Sequence, residues 1–162
     1  MSKFKNSESW KKGHETEALF SSCLSKRGIT HQAASKSEQM LKHIDFHTEK
    51  GTIDVKAMKK IQREDSYAQN DLIWLEFANV RGNTGWLRSD VDYIAFERAN
   101  DFLIVKRQLL LELAESLCDL VNITTQAKEA LYKGYQRKGR ADLISMIKMS
   151  DILTLPHKSI PK

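Results

Sequence analysis

Residues 41–57 read LKHIDFHTEKGTIDVKA, two strand-like runs around the short polar turn Glu49-Lys50-Gly51. Thr52, Ile53, Val55 and Ala57 favour or tolerate extended structure, and Asp54 and Lys56 interrupt them. Successive side chains of a strand alternate faces, so Asp54 and Lys56 share one face and Ile53, Val55 and Ala57 the other. An acid beside a base on one face is either a solvated edge or a site. A hairpin closing on the turn pairs Thr48 with Gly51 and His47 with Thr52. Continued inward, that register sets Asp45 opposite Asp54 and His43 opposite Lys56. Directly opposed residues hold their Cβ atoms about 4.5–5.5 Å apart, and carboxylates that close repel unless protonated or bridged by a cation. Mg2+ suits such a pair, being a hard ion that takes one or two carboxylates and completes its shell with phosphate and water.

The remainder of the chain limits what this hairpin can belong to. Its 162 residues, 41% hydrophobic and 29% charged, fit one soluble globular domain over 1–155 with a short tail, 156–162. Lysine and arginine number 26 against 21 acids, a net charge of +5 that is compatible with a polyanionic partner without requiring one. The two cysteines, Cys23 and Cys118, stand in no metal-ligand spacing and fit free thiols in a reducing compartment. No apolar run approaches the roughly 18 residues of a membrane span, and the first fifteen residues are polar. The expectation is a cytoplasmic protein, in the host cytoplasm if phage-encoded, with no membrane partner.

A first helix is expected over 14–27, stopping at Gly28 as a C-cap. Strands follow at 41–48 and 52–57, then a charged connector, a mostly buried strand DLIWLEFANV over 71–80 and a glycine-bearing loop, RGNTGW. VDYIAFE and DFLIVKR read as two further strands joined by a short turn, and a core helix starts near Gln108. The last third reads as helical around the basic stretch YKGYQRKGR. This order predicts an α+β protein with a central mixed β-sheet flanked by helices and a helical C-terminal segment.

A third acid belongs with the hairpin. Glu17, Phe20 and Leu24 fall at i, i+3 and i+7, so Glu17 lies on the core-facing stripe of the first helix, whereas Glu15 points away. A stripe-edge glutamate can reach solvent, or it can serve as a ligand brought to the hairpin. Glu17 on an early helix, Asp45 opening a hairpin and Asp54-Val55-Lys56 on the next strand together resemble the PD-(D/E)XK nuclease superfamily, over about residues 14–80. The residue before Asp45 is Ile44 where that motif carries proline, and the acid of the D/E-X-K step is Asp54. The resemblance implies a restriction-endonuclease-like sheet and a site in which Glu17, Asp45 and Asp54 bind Mg2+, with Mn2+ as a substitute. It also implies that Lys56 positions the attacking water.

His43 and His47 alternate with Asp45, but HIDFH lacks the thiolates or further spacing of a zinc site. Glu76 falls in a buried strand as either a structural partner or an extra polar ligand. Residues 128–148 carry Lys128, Lys133, Arg137, Lys138, Arg140 and Lys148 against Glu129 and Asp142, interleaved with Tyr132 and Tyr135. Such a stretch suits phosphate contacts, though it would also serve as a solvated face. Lys59, Lys60, Arg63 and Arg81 are further candidate DNA contacts. No separate sequence-reading domain is visible, which favours recognition of DNA shape. The expectation is a Mg2+-dependent, structure-selective endonuclease, resembling Holliday-junction resolvases of archaeal or phage type and acting as a homodimer on four-way or other branched DNA. Another endonuclease of the superfamily and a non-catalytic DNA-binding module of the same fold are the alternatives.

Overall fold

The computed structural model describes residues 8–60, 65 and 67–162, with Ser9 by its backbone only. Arg63, one of the expected DNA contacts, lies outside the described residues. The first helix, α1 (Glu8–Lys26), buries Phe20, Cys23 and Leu24, as its apolar stripe requires. It ends at Gly28, whose φ of +67° lets the chain turn back. Gly28 N–H then donates to Ser25 and Ile29 N–H to Leu24, the paired bonds of a Schellman cap.

Strand β1 (His31–Ala33) leads to a second helix, α2 (Lys36–Lys42), where the first strand of the hairpin was expected to begin. The reason is local. Ser35 accepts from the backbone of Glu38, and the Glu38 side chain accepts from the backbone of Ser35, a capping box that starts a helix. His43, at φ 58°, terminates it, so the strand β2 is only Phe46–Thr48. The turn and register are as expected: β2 pairs with β3 (Gly51–Lys56) through Thr48–Gly51, His47–Thr52 and Phe46–Ile53.

The rest of the chain builds two mixed sheets, in keeping with the α+β expectation. Strands β5 (Tyr93–Glu97), β6 (Asp101–Lys106) and β10 (His157–Pro161) complete a larger sheet of order β1-β2-β3-β5-β6-β10. Only β3 and β5 are parallel in it, and the connection between them passes through the other sheet. That smaller sheet has the order β4-β9-β8-β7, from β4 (Leu72–Ala78), β7 (Asp119–Thr124), β8 (Lys133–Tyr135) and β9 (Leu143–Lys148). A third helix, α3 (Arg107–Leu117), follows β6, and a single turn, α4 (Met149–Ile152), follows β9.

The helical C-terminal segment is therefore corrected to strands. Within YKGYQRKGR, Tyr132 and Gly139 take φ of 58° and 76°, which no helix accommodates. Residues 156–162 are not a loose tail, because β10 pairs along its length with β6.

Two cores explain why the sheets stay together. On one face of the larger sheet, Ile53, Val55, Ala95, Phe102 and Ile160 pack against Phe20, Cys23 and Leu24 of α1. On the other face, Ile94, Phe96, Leu103 and Val105 share a core with Leu75 and Phe77 of β4, Ile147 of β9 and Leu110 and Ala114 of α3. The larger sheet is thus the middle layer, and alternation along β3 sends Asp54 and Lys56 away from α1. Among the described residues, no helix is long and apolar enough to cross a membrane.

Candidate functional site

The β2–β3 ladder ends at Phe46–Ile53, and Asp45 stays tied to β3 beyond it, off the strict register. Asp45 N–H donates to Ile53 carbonyl at 2.9 Å, and Asp45 Oδ2 accepts from Val55 N–H at 2.7 Å. That clamp sets the Asp45 carboxyl beside Asp54, which is only 4% exposed. Lys56 Nζ lies 3.1 Å from Asp54 Oδ2 as an ion pair. Beyond that ion pair, this buried oxygen accepts no hydrogen bond among the described residues. Buried polar atoms are rarely left so.

Electrostatics matches the crowding. The Asp45 carboxyl is pushed up to about 7, first by burial and then by Glu17, which lies against it. Burial also pushes Asp54 up to about 7; Lys56 opposes this, and the Asp45 charge reinforces it. The two acids therefore titrate as a pair near neutrality, and a shared proton or a cation relieves them. Glu17 reaches Asp45 from α1, with its carboxylate 3.4 Å from His14 Nδ1 and its side chain 20% exposed. The structure thus brings Glu17, Asp45, Asp54 and Lys56 together in a chain of neighbours.

Carboxylate oxygens, one of them buried and lacking a hydrogen bond, are a donor set suited to a hard divalent cation. Among the described residues, no three His, Cys, Asp or Glu side chains converge as a ready-made metal group. A cation would find Asp45 and Asp54, with Glu17 behind Asp45, and would draw the rest of its shell from water or phosphate.

The histidines take other roles. His43 does not face Lys56: as the cap of α2 its ring Nε2 lies 3.3 Å from the Thr84 carbonyl. His47 Nε2 pairs with Glu38 at 2.7 Å. Glu76 serves the loop, its Oε1 accepting from Trp86 N–H at 3.4 Å.

Two residues that define the site's surroundings were not singled out from the sequence. Trp86, in the 3-10 turn Trp86–Arg88, places its ring centroid 4.9 Å from Lys56 Nζ, a cation–π contact that helps hold that ammonium. Glu97, 3% exposed at the end of β5, accepts from Met58 N–H at 3.1 Å and from Lys162 Nζ at 3.1 Å, with Lys12 Nζ at 3.5 Å. Burial alone would raise its pKa, but Met58, Lys162 and Lys12 together hold it below the ordinary value. Glu97 thereby fixes the chain two residues after Lys56. The only sequence signal was an acid closing a buried strand.

The candidate DNA contacts divide. Lys59 and Lys60 are exposed just beyond β3, and Lys138, Arg140 and Arg81 are exposed on loops. Lys133 is half-buried in β8. Arg137 is engaged, with Nε 2.6 Å from Asp142, which is almost wholly buried, so that it pins its own loop. Lys59, although exposed by area, is lowered by desolvation from the surrounding chain and then by Lys56; the charges of Glu76, Asp54 and Arg137 also reach it. Comparison of the chain with family models, with curated proteins and with solved structures finds no match.

Proposed function

We propose that the chain is a metal-dependent, structure-selective DNA endonuclease of the PD-(D/E)XK type, acting as a homodimer on branched DNA. One observation carries the reading: a buried aspartate oxygen without a hydrogen bond, set beside a second carboxylate and an ion-paired lysine. A buried carboxylate crowded by a second one is costly unless a proton or a cation bridges the pair, and a bridging cation is what such a site would hold. Asp45 and Asp54 would hold Mg2+ or Mn2+, with Glu17 supporting Asp45. A bound divalent cation supplies Lewis acidity toward a phosphoryl group and lowers the pKa of water.

The chain's own residues do the remainder. Lys56, constrained by Asp54 and Trp86, orients water or balances charge on the phosphate as it develops. Exposed Lys59, Lys60, Lys138 and Arg140 provide phosphate contacts that depend on shape rather than sequence.

A non-catalytic DNA-binding module is the second reading, favoured by the lack of a converged three-ligand group among the described residues. Incubation of pure protein with a four-way junction, a flap and a linear duplex, with and without Mg2+, separates them. Metal-dependent cutting of the branched substrates is expected. Binding to all three with no cutting in Mg2+ or Mn2+ would leave only the binding module.

A further inference from the structure

On the α1 face of the larger sheet, away from Asp54 and Lys56, lies a groove of about 680 Å³. It exists because α1 ends at Lys26 and its Schellman turn carries the chain aside, so β5, β6 and β10 run on without a covering helix. The floor is apolar: Ile53, Tyr93, Ile104 and Ile160 lie along neighbouring strands, and Leu24 of α1 forms a wall. Its volume lies within the roughly 300–1,000 Å³ of small-molecule pockets.

The rim has a different character. Lys50 comes from the β2–β3 turn, Lys106 from the end of β6 and Lys158 from β10, with His157 beside them. Glu49 is the one acid among the lining residues. Among the described residues, none of these three lysines forms an ion pair with a carboxylate. Lys50 and Lys158 line the same rim, and the Lys50 ammonium holds that of Lys158 below its ordinary pKa. Two ammonium groups brought together over an apolar floor repel, and an anion between them would relieve that repulsion.

We propose that this groove binds a small amphipathic anion, its hydrocarbon or ring body on the Ile53–Tyr93–Ile104–Ile160 floor and its single acidic head between Lys50 and Lys158. The head is a carboxylate, sulfonate or phosphate monoester, which the two ammonium groups receive by charge-assisted hydrogen bonds. The site is independent of the nuclease reading, since β3 turns Ile53 into the groove and Asp54 away from it.

Fluorescence titration of the full chain with 8-anilinonaphthalene-1-sulfonate, and with the uncharged N-phenyl-1-naphthylamine, tests it. One-to-one saturable binding of the sulfonate is expected. The double variant Lys50→Gln/Lys158→Gln should weaken that binding about tenfold or more, while the uncharged probe stays within about twofold, in keeping with a lost charge-assisted contact. Circular dichroism and melting of the double variant check the fold, which exposed lysines do not support. Ile104→Trp, filling the floor, should weaken both probes. The proposal is overturned if the sulfonate fails to saturate, binds at several sites, or binds the double variant as well as the wild type. It is equally overturned if probe binding falls as the protein dimerises, because a second copy then occupies the groove.

Discussion

Asp45 and Asp54 make the folded protein sensitive to pH in a direction opposite to that of most carboxylates. Each is raised from 3.8 to about 7, so the folded state holds a proton that the unfolded chain releases earlier. The stability this contributes is fully present below about pH 4 and is lost as pH rises through about 7. One such group treated alone corresponds to roughly 4 kcal/mol, at about 1.4 kcal/mol per pKa unit. Metal-free protein should therefore resist urea better at pH 5 than at pH 8. Adding Mg2+ or Mn2+ should restore stability at pH 8 and do little at pH 5, because a cation needs the ionised pair. Asp54→Asn should flatten the pH profile and abolish the metal response, together with any cutting; a metal response that survives would remove Asp54 from the site. Lys56→Ala should lower the single-turnover rate by at least about tenfold at saturating protein, while affinity for DNA changes little. An unchanged rate would make Lys56 only a partner for Asp54. These acids and the lysine were legible because strand alternation and a tight turn fix which side chains face each other. Trp86 was not, because its approach to Lys56 depends on a loop from a different sheet.

Sequence pattern succeeded where an element buries a regular face and failed where local hydrogen bonds decide. Helix α1 and strands β3, β5 and β6 carry continuous apolar patterns and were found. Helix α2 buries no residue, so periodicity was silent, and the alternation in HIDFH suggested a longer strand. The Ser35–Glu38 capping box was the available signal. With so little burial behind it, α2 should depend on that cap: Ser35→Ala should cost about 1 kcal/mol in urea unfolding. A loss below a few tenths would mean that the Glu38–His47 contact alone anchors the helix. Strand β8 and its loop were missed because lysine, arginine and tyrosine dominate them and say nothing about backbone period, and β7 and β9 because short apolar runs such as LISMIK do not by themselves tell strand from helix.

Gly85 shows a constraint of the other kind, from close approach rather than from unusual φ. A Cβ there would stand 2.4 Å from the Glu76 carbonyl oxygen and 2.7 Å from its carbon, both backbone atoms of β4. Gly85→Ala should destabilise by about 2 kcal/mol or more, since the strand and loop must separate. It should also displace Trp86 and slow any Lys56-dependent cutting. Stability equal to wild type would show that the loop shifts freely and that Trp86 does not fix the lysine.

The layered arrangement changes where a second copy of the chain can attach. The apolar runs VDYIAFE and DFLIVKR fall in β5 and β6, which lie in the interior of the larger sheet, hydrogen-bonded on both sides, with one face in the second core and the other under α1 except where the groove opens. Their apolar residues serve the two cores. A dimer must instead use outer faces or the edge strands β1, β10, β4 and β7, where backbone groups stay available. Edge strand β7 exposes Val121 at 88% and also Ile123, more apolar surface than an edge in water ordinarily presents. Each chain offers one acid–lysine cluster, whereas resolving a four-way junction requires nicks in two opposed strands. Two chains related by a two-fold axis would present two such clusters in matching positions on a branch of the same symmetry. Light scattering should then give about twice 18.6 kDa, and junctions should be cut in paired strands well ahead of linear duplex. Val121→Glu, placing a charge on the β7 edge, should shift the protein toward monomer and convert paired cuts into single nicks while leaving Asp54 and Lys56 undisturbed. A monomeric wild type that cuts linear duplex as fast as junctions would end the branched-DNA reading and leave only a simpler nuclease.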